Sequence, residues 1–263
     1  MKNLIITMLM VTMFTVLAKT QIQGQTYAAA PAQKTIKNIV LVHGAFVDGS
    51  GWKPVYDILT KKGYKVSIVQ HHLTSFENDV MAVERILKMQ QGPCILVGHS
   101  YGGAIITEAG NAENVAGLVY IAAHAPAAGE SEAGNGKQYP SAYKSLIKGT
   151  DGYDYIKNSM FHADFAADLP GSIADFASNA QMPTADAVFH AVIKNPAWKT
   201  KPSWYMVAKS DRIINPDLER MYAKRAKSVK VEIPGASHSV YESHPQEVSK
   251  LIIMASEHAL EKR

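Results

Sequence analysis

The chain has 263 residues, 47% hydrophobic, 19% charged and 8% aromatic, a balance that supplies a large core and excludes disordered, collagen-like and polytopic membrane chains. Its 27 basic and 23 acidic residues give a formal charge of +4 and are scattered, with no run to follow a phosphate backbone, so nucleic acid is not an expected partner. The single cysteine, Cys94, excludes an intramolecular disulfide and a cysteine-based zinc site; within Cys94-Ile95-Leu96-Val97 it reads as a buried small hydrophobe.

Met1-Lys2-Asn3 followed by the apolar residues 4–18 has the layout of a secretory signal, and ~15 such residues are short of the ~20 a membrane span needs. Small residues at Ala18 and at Ala28-Ala29-Ala30 offer cleavage points. Residues 1–30 are therefore expected to be a signal peptide and short leader, cut between Ala18 and Ala30, leaving a periplasmic or secreted product without a stable membrane anchor. A cut beyond Lys19 removes Lys2 and Lys19 and lowers the formal charge from +4 to +2. A retained N-terminal anchor helix is the competing reading.

Residues 31–263 read as one domain, since no linker, repeat or low-complexity tract interrupts them. The runs 39–42, 64–69, 94–98, 115–122, 203–208 and 229–233 are short and almost continuously apolar, as strands buried on both faces of a parallel sheet must be. Helical patterns at 52–62, 76–90, 102–110, 216–227 and 245–262 alternate with them, which predicts an α/β sheet covered on both faces. Residues 126–201 break the alternation. They carry no convincing strand and have a helix-like texture, so this long insertion is expected to form a helical cap over the strand ends; ordinary helices extending one face of the core are the alternative.

Gly98-His99-Ser100-Tyr101-Gly102 follows one predicted strand directly and opens a helix, the strand–turn–helix setting in which G-x-S-x-G holds a nucleophilic serine. Such a serine needs a base and an orienting acid, and the chain order serine, acid, histidine is available. Asp211 follows the strand 203–208, and His238 lies in the loop after the last strand; His244 is the competing base. The glycine-rich turn after the first strand, His43-Gly44-Ala45-Phe46, can aim a backbone N–H at a reacting carbonyl, with the N–H of Tyr101 as second donor. Ala45 is the first choice there and Phe46 the near competitor. Gly44 and Gly49 are spaced as in a phosphate loop, but Ser50-Gly51 stand where Lys-Ser/Thr is required, and no G-x-G-x-x-G is present. His71-His72 lack metal-ligand spacing and are expected near the pocket mouth, so no metal and no cofactor is called for.

His43-Gly44-Ala45 with Trp52, Gly98-His99-Ser100-Tyr101-Gly102-Gly103, Ser210-Asp211 and Ser237-His238 resemble the α/β-hydrolase superfamily from about residue 36 to the C-terminus, in particular the small branch holding plant methyl esterases, hydroxynitrile lyases and bacterial carboxylesterases, some of which cleave pyrethroid-type esters. The resemblance implies a cofactor-free serine hydrolase with Ser100, Asp211 and His238 as triad and Ala45 and Tyr101 as oxyanion donors. The chain reaches its first strand early, so a sheet of about six strands is expected.

The leading functional reading is a serine ester hydrolase working through an acyl-enzyme on a small, moderately sized hydrophobic ester. Phe46, Tyr101, Phe161 and Phe165 are the candidate substrate contacts, with Met160, Phe176, Met182 and Phe189 as further apolar candidates. A lactone hydrolase, a hydroxynitrile-lyase-like enzyme using the triad as an acid–base set, and a non-catalytic binding protein are the alternatives. The oligomeric state is not legible from the sequence.

Overall fold

The structure is a computed structural model that describes residues 35–261; the signal-peptide reading of residues 1–30 lies outside them. Six parallel strands form the main sheet: β1 (Asn38–Val42), β2 (Lys65–Val69), β3 (Cys94–Ser100), β4 (Val115–Ala123), β8 (Ser203–Ala208) and β9 (Val229–Ile233), in the order β2-β1-β3-β4-β8-β9. Each lies within about two residues of its predicted span. The central strands are buried along their whole length because successive side chains feed two different cores.

Val40, Leu96, Leu118, Tyr120 and Tyr205 face one layer, with α2 (Phe76–Lys88), α3 (Tyr101–Ala109) and α8 (Pro216–Arg225). Ile39, Leu41, Ile95, Val97, Val119 and Met206 face the other, with α1 (Lys53–Lys61), the single turn α9 (Val240–Ser243) and α10 (Pro245–His258). Cys94 is buried with the first set, as its apolar setting predicted. Ser75 caps α2 by accepting from the N–H of Asn78, and the first turn of that helix carries Glu77 and Asp79 against its positive end. Among the described residues no helix is long and apolar enough to cross a membrane.

The insertion between β4 and β8 differs from its expected all-helical form. It holds α4 (Glu132–Gln138), α5 (Asn158–Phe165), α6 (Gly171–Asn179), the single turn α7 (Ala187–His190), and also a three-stranded antiparallel sheet. That sheet is built from β5 (Leu146–Lys148), β6 (Tyr153–Ile156) and β7 (Thr184–Ala185). β5 and β6 make a hairpin whose turn closes at Gly149 and Gly152, the latter at φ 85°, where a side chain is strained. The alternation is real in β6, where Asp154 and Ile156 are buried and Tyr155 is exposed, but four residues with an acid on the inner face do not announce a strand.

β3 runs straight into α3 with Ser100 at the corner, at φ 54° and ψ −124°. Strand and helix approach so closely there that a Cβ on Gly98 would stand 2.5 Å from the Gly102 carbonyl oxygen, and one on Gly102 would stand 2.5 Å from that of His43. Both contacts are with backbone, which has no room to yield. Gly98→Ala is expected to lower stability by about 3 kcal/mol and to move the thermal midpoint down by several degrees; an unchanged melting curve would show that the corner relaxes more freely than its packing suggests.

Candidate active site

The corner brings three side chains into line. Ser100 Oγ lies 2.8 Å from His238 Nε2, and His238 Nδ1 lies 2.6 Å from Asp211 Oδ2. All three are buried. Asp211 stands just beyond β8, and its other oxygen accepts from the N–H groups of Ile213 at 2.7 Å and Ile214 at 3.0 Å, which fixes the carboxylate plane. With Asp211 accepting at Nδ1, the neutral imidazole carries its hydrogen there and leaves Nε2 as acceptor toward the serine hydroxyl. His244 is not part of this line; it lies 3.4 Å from Asp168.

The histidine is held from behind. His99 donates from Nε2 to the His238 carbonyl at 2.9 Å, and the two rings lie 4.7 Å apart. Complete burial, followed by the neighbouring His238, drives the basicity of His99 well below the ordinary histidine range, so it serves as a neutral donor. Phe165 sets its edge against the His238 ring, and its carbonyl accepts from the N–H of Ser239 at 3.1 Å.

Glu219 of α8 was not singled out by the sequence. One of its oxygens accepts from the Ala208 N–H at 3.2 Å. Burial, then the Asp211 charge, pushes its carboxyl well above the usual range, where a protonated Glu219 can donate to Asp211.

On the other flank the turn after β1 carries Ala45 and Phe46. Phe46 is at φ 65°; its N–H donates to Thr184 Oγ1 at 3.0 Å and its carbonyl accepts from the Met182 N–H at 3.2 Å. The Ala45 N–H has no partner among the described residues. Beneath this turn His43 and His71 stack with ring centroids 3.7 Å apart, and His71 Nε2 donates to the His43 carbonyl at 3.0 Å. Burial holds His43 at about 3. His71 is thus a buried strut of the turn, not a residue of the pocket mouth, while His72 is exposed. The Tyr101 hydroxyl donates to the buried Asp79 at 2.9 Å, and the same carboxylate accepts from the N–H groups of His72 and Leu73.

A cavity of ≈ 570 Å³ opens beside Ser100, walled by Ala45, Phe46, His124, Glu132, Phe189, Ile213, Ile214 and Leu218, with Lys148, Asp154, Asp186 and His190 also on its lining. Of the apolar candidates, Phe46 and Phe189 line it. Phe161 and Phe165 do not: they stack on each other at 4.7 Å, fully buried behind His238. The Tyr101 ring is drawn to Asp79 and packs edge-on against Phe76 and His71. The sequence did not single out His124 or Glu132. The signal available was position, because His124 follows the carboxyl end of β4, the neighbour of the corner strand. Among the described residues no cluster of side chains is arranged to hold a metal ion.

A parallel sheet with a strained serine at a strand-to-helix corner, a histidine and an acid in chain order defines a class of fold. A model of the alpha/beta hydrolase family matches residues 39–251, and the chain belongs to that family. It is 34% identical over 102 residues to a pyrethroid hydrolase of Sphingobium wenxiniae, covering 34% of this chain and 36% of that protein. It is 33% identical over 108 residues to a carbendazim hydrolyzing esterase of a Nocardioides species, covering 36% of this chain and 45% of that one. The chain thus spans between a third and a half of the length of these curated relatives. Among solved structures, a pyrethroid hydrolase from Sphingobium faniae superposes with a TM-score of 0.76 at 25% identity over 86% of this chain and 100% of the other. A methylesterase from Arabidopsis reaches 0.70 at 19% identity over 84% and 98%, a likeness of fold.

The Glu219 proton has a measurable consequence. Its folded-state affinity for the proton is raised, so the stability it contributes is full below the ordinary glutamate range and is lost as pH rises toward the folded value. Glu219→Gln, which keeps a donor for Asp211 without that loss, is expected to match the parent near pH 4. Above that it should gain up to about 1.4 kcal/mol per pH unit until Glu219 ionises. Denaturant unfolding at pH 4, 6 and 8 reads this, and parallel stability curves would show that Glu219 is ionised in the folded chain.

Proposed function

We propose that the protein is a serine carboxylic ester hydrolase. The observation that carries the reading is the unbroken line from Ser100 Oγ through His238 to Asp211, at 2.8 and 2.6 Å, beside a cavity that Ser100 lines. Ser100 attacks the ester carbonyl while His238 Nε2 takes its proton, and Asp211 stabilises the imidazolium. The Ala45 and Tyr101 N–H groups receive the oxyanion, each worth ~3 kcal/mol at the transition state. Ala45 is preferred to Phe46 because the Phe46 N–H is already given to Thr184. His238 then protonates the departing alkoxide, and water releases the acid by the reverse path. The relatives named as a pyrethroid hydrolase and a carbendazim hydrolyzing esterase support ester chemistry, and the apolar walls Phe46, Phe189, Ile213, Ile214 and Leu218 suit a hydrophobic ester of moderate size.

The test is hydrolysis of p-nitrophenyl esters of graded acyl length. The parent is expected to turn them over and Ser100→Ala to lose about 10⁴-fold or more in kcat with the fold retained. Equal activity in both proteins would remove Ser100 as nucleophile, and cyanide release from cyanohydrins without ester hydrolysis would replace the reading by a lyase.

Thr184 is the positioning residue for the oxyanion turn. Thr184→Val frees the Phe46 N–H and loosens the turn, so kcat on the same esters is expected to fall about tenfold while KM stays near its parent value. Thr184→Ser should restore it. A change confined to KM would place Thr184 in substrate binding instead.

A further inference from the structure

Beneath the serine corner lies a buried carboxylate that takes no part in the triad. Asp79, near the start of α2, is fully buried and accepts three hydrogen bonds. The Tyr101 hydroxyl donates to its Oδ2 at 2.9 Å, and the N–H groups of His72 and Leu73 donate to its Oδ1 at 3.2 and 3.1 Å. Burying a carboxylate is costly unless hydrogen bonds satisfy it, and here the donors come from two different parts of the chain. Each of those parts leads to one of the two N–H groups that face the oxyanion.

On the Oδ2 side the tie is to Tyr101 itself, the residue after the nucleophile. Without it the ring would be held only by tilted and edge-on contacts with His71, Phe76 and Phe189. On the Oδ1 side the tie is to the segment 71–73, where Leu73 stands at φ 58°, an angle that non-glycine residues adopt only under restraint. Two bonds run from this segment to the turn bearing Ala45. His71 Nε2 donates to the His43 carbonyl at 3.0 Å, and the Leu73 carbonyl accepts from the Ala185 N–H at 2.8 Å, next to Thr184, whose hydroxyl accepts the Phe46 N–H at 3.0 Å. Ala45 lies between His43 and Phe46 and is thereby fastened on both sides.

We infer that Asp79 is a positioning residue that sets the two oxyanion donors, the N–H groups of Ala45 and Tyr101, relative to each other: one carboxylate oxygen holds the Tyr101 side chain and the other holds the segment that fastens the Ala45 turn. The inference rests on the ester-hydrolase reading for those two donors. Neither Asp79 nor His71 nor Tyr101 lines the cavity, so loss of the tie acts on the transition state and leaves ground-state binding of the ester in place.

Three variants separate the ties. Tyr101→Phe removes the Oδ2 tie and keeps the backbone N–H, Asp79→Ala removes both ties, and Asp79→Asn keeps an oxygen for His72 and Leu73 while its amide can donate to the Tyr101 oxygen. On p-nitrophenyl esters kcat is expected to fall about tenfold in Tyr101→Phe and about a hundredfold in Asp79→Ala, with KM within twofold of the parent, and Asp79→Asn should stay within about threefold. The readout that a merely structural role would not move is an alkyl trifluoromethyl ketone: Ser100 Oγ bonds to its carbonyl carbon, His238 takes the proton, and the π pair becomes an oxyanion on the two donors. Its inhibition constant should rise in proportion to the loss in kcat/KM, while ester binding to the same variants carrying Ser100→Ala, followed by NMR titration, stays within twofold. If Asp79→Ala does not fold, Tyr101→Phe carries the same comparison. Parent kcat in Tyr101→Phe overturns the joint role, as do inhibitor and ester affinities that fall together. An adduct weakened in these variants, with a parent that hydrolyses no ester, upholds the role of Asp79 and removes the ester-hydrolase reading. A parent that neither hydrolyses esters nor forms the adduct overturns both.

Discussion

Ser100 stands in the left-handed region only because three backbones crowd around it. The Gly102 position is pressed against the His43 carbonyl at the end of β1, and a Cβ on Gly103 would lie 2.3 Å from the His124 carbonyl at the end of β4. Holding a non-glycine residue at such angles costs about 1–3 kcal/mol, and the buried strands on either side supply the restraint. One consequence is shared geometry. The turn bearing Ala45, the serine itself and the start of the segment bearing Glu132 all leave the same knot, so none can shift without disturbing the others.

Around that knot the interior is polar yet carries little charge. His43, His99 and His124 are all held neutral by burial, while Glu219 and Glu132 are held protonated by the same cause. Neutral groups with fixed hydrogens can orient a neighbour without competing with it electrostatically. His99 fixes the His238 backbone, and Asp211 takes the Nδ1 side of the same ring. In a site closed to water such an interaction is stronger than it would be in solvent, which is the setting preorganised donors require.

Much of this was legible in the sequence, for a physical reason. Strands 94–100 and 115–123 are buried at every position and open with near-continuous apolar runs because both faces are covered, and the glycines flanking Ser100 are dictated by close approach. The insertion was less legible. β7 is two residues long and β5 three, too short for a period to show, and β7 is recruited to β6 by contacts across 30 or more residues, not by local pattern. Glu132 stands at the start of a short helix like an exposed acid; its burial arises where α4 meets His124 and Tyr222, the latter far along the chain. The helical spacing of Phe161 and Phe165 does not say which face meets substrate, and the structure spends both on backing His238.

The insertion between β4 and β8 does two things at once. Its side chains shape the cavity, and its backbone holds the reacting groups: Thr184 and Met182 grip Phe46, the Ala185 N–H donates to the Leu73 carbonyl, and the Phe165 carbonyl receives the Ser239 N–H beside His238. Apart from the Thr184 hydroxyl, these ties run through main-chain atoms, which side-chain substitutions leave in place. Phe189, on the single turn α7, lines the cavity and meets Phe46 at 5.9 Å without carrying any of these bonds. The pocket wall and the scaffold of the serine site are therefore separable at the level of side chains although they share one stretch of chain, which lets such a fold change its ester without rebuilding its chemistry.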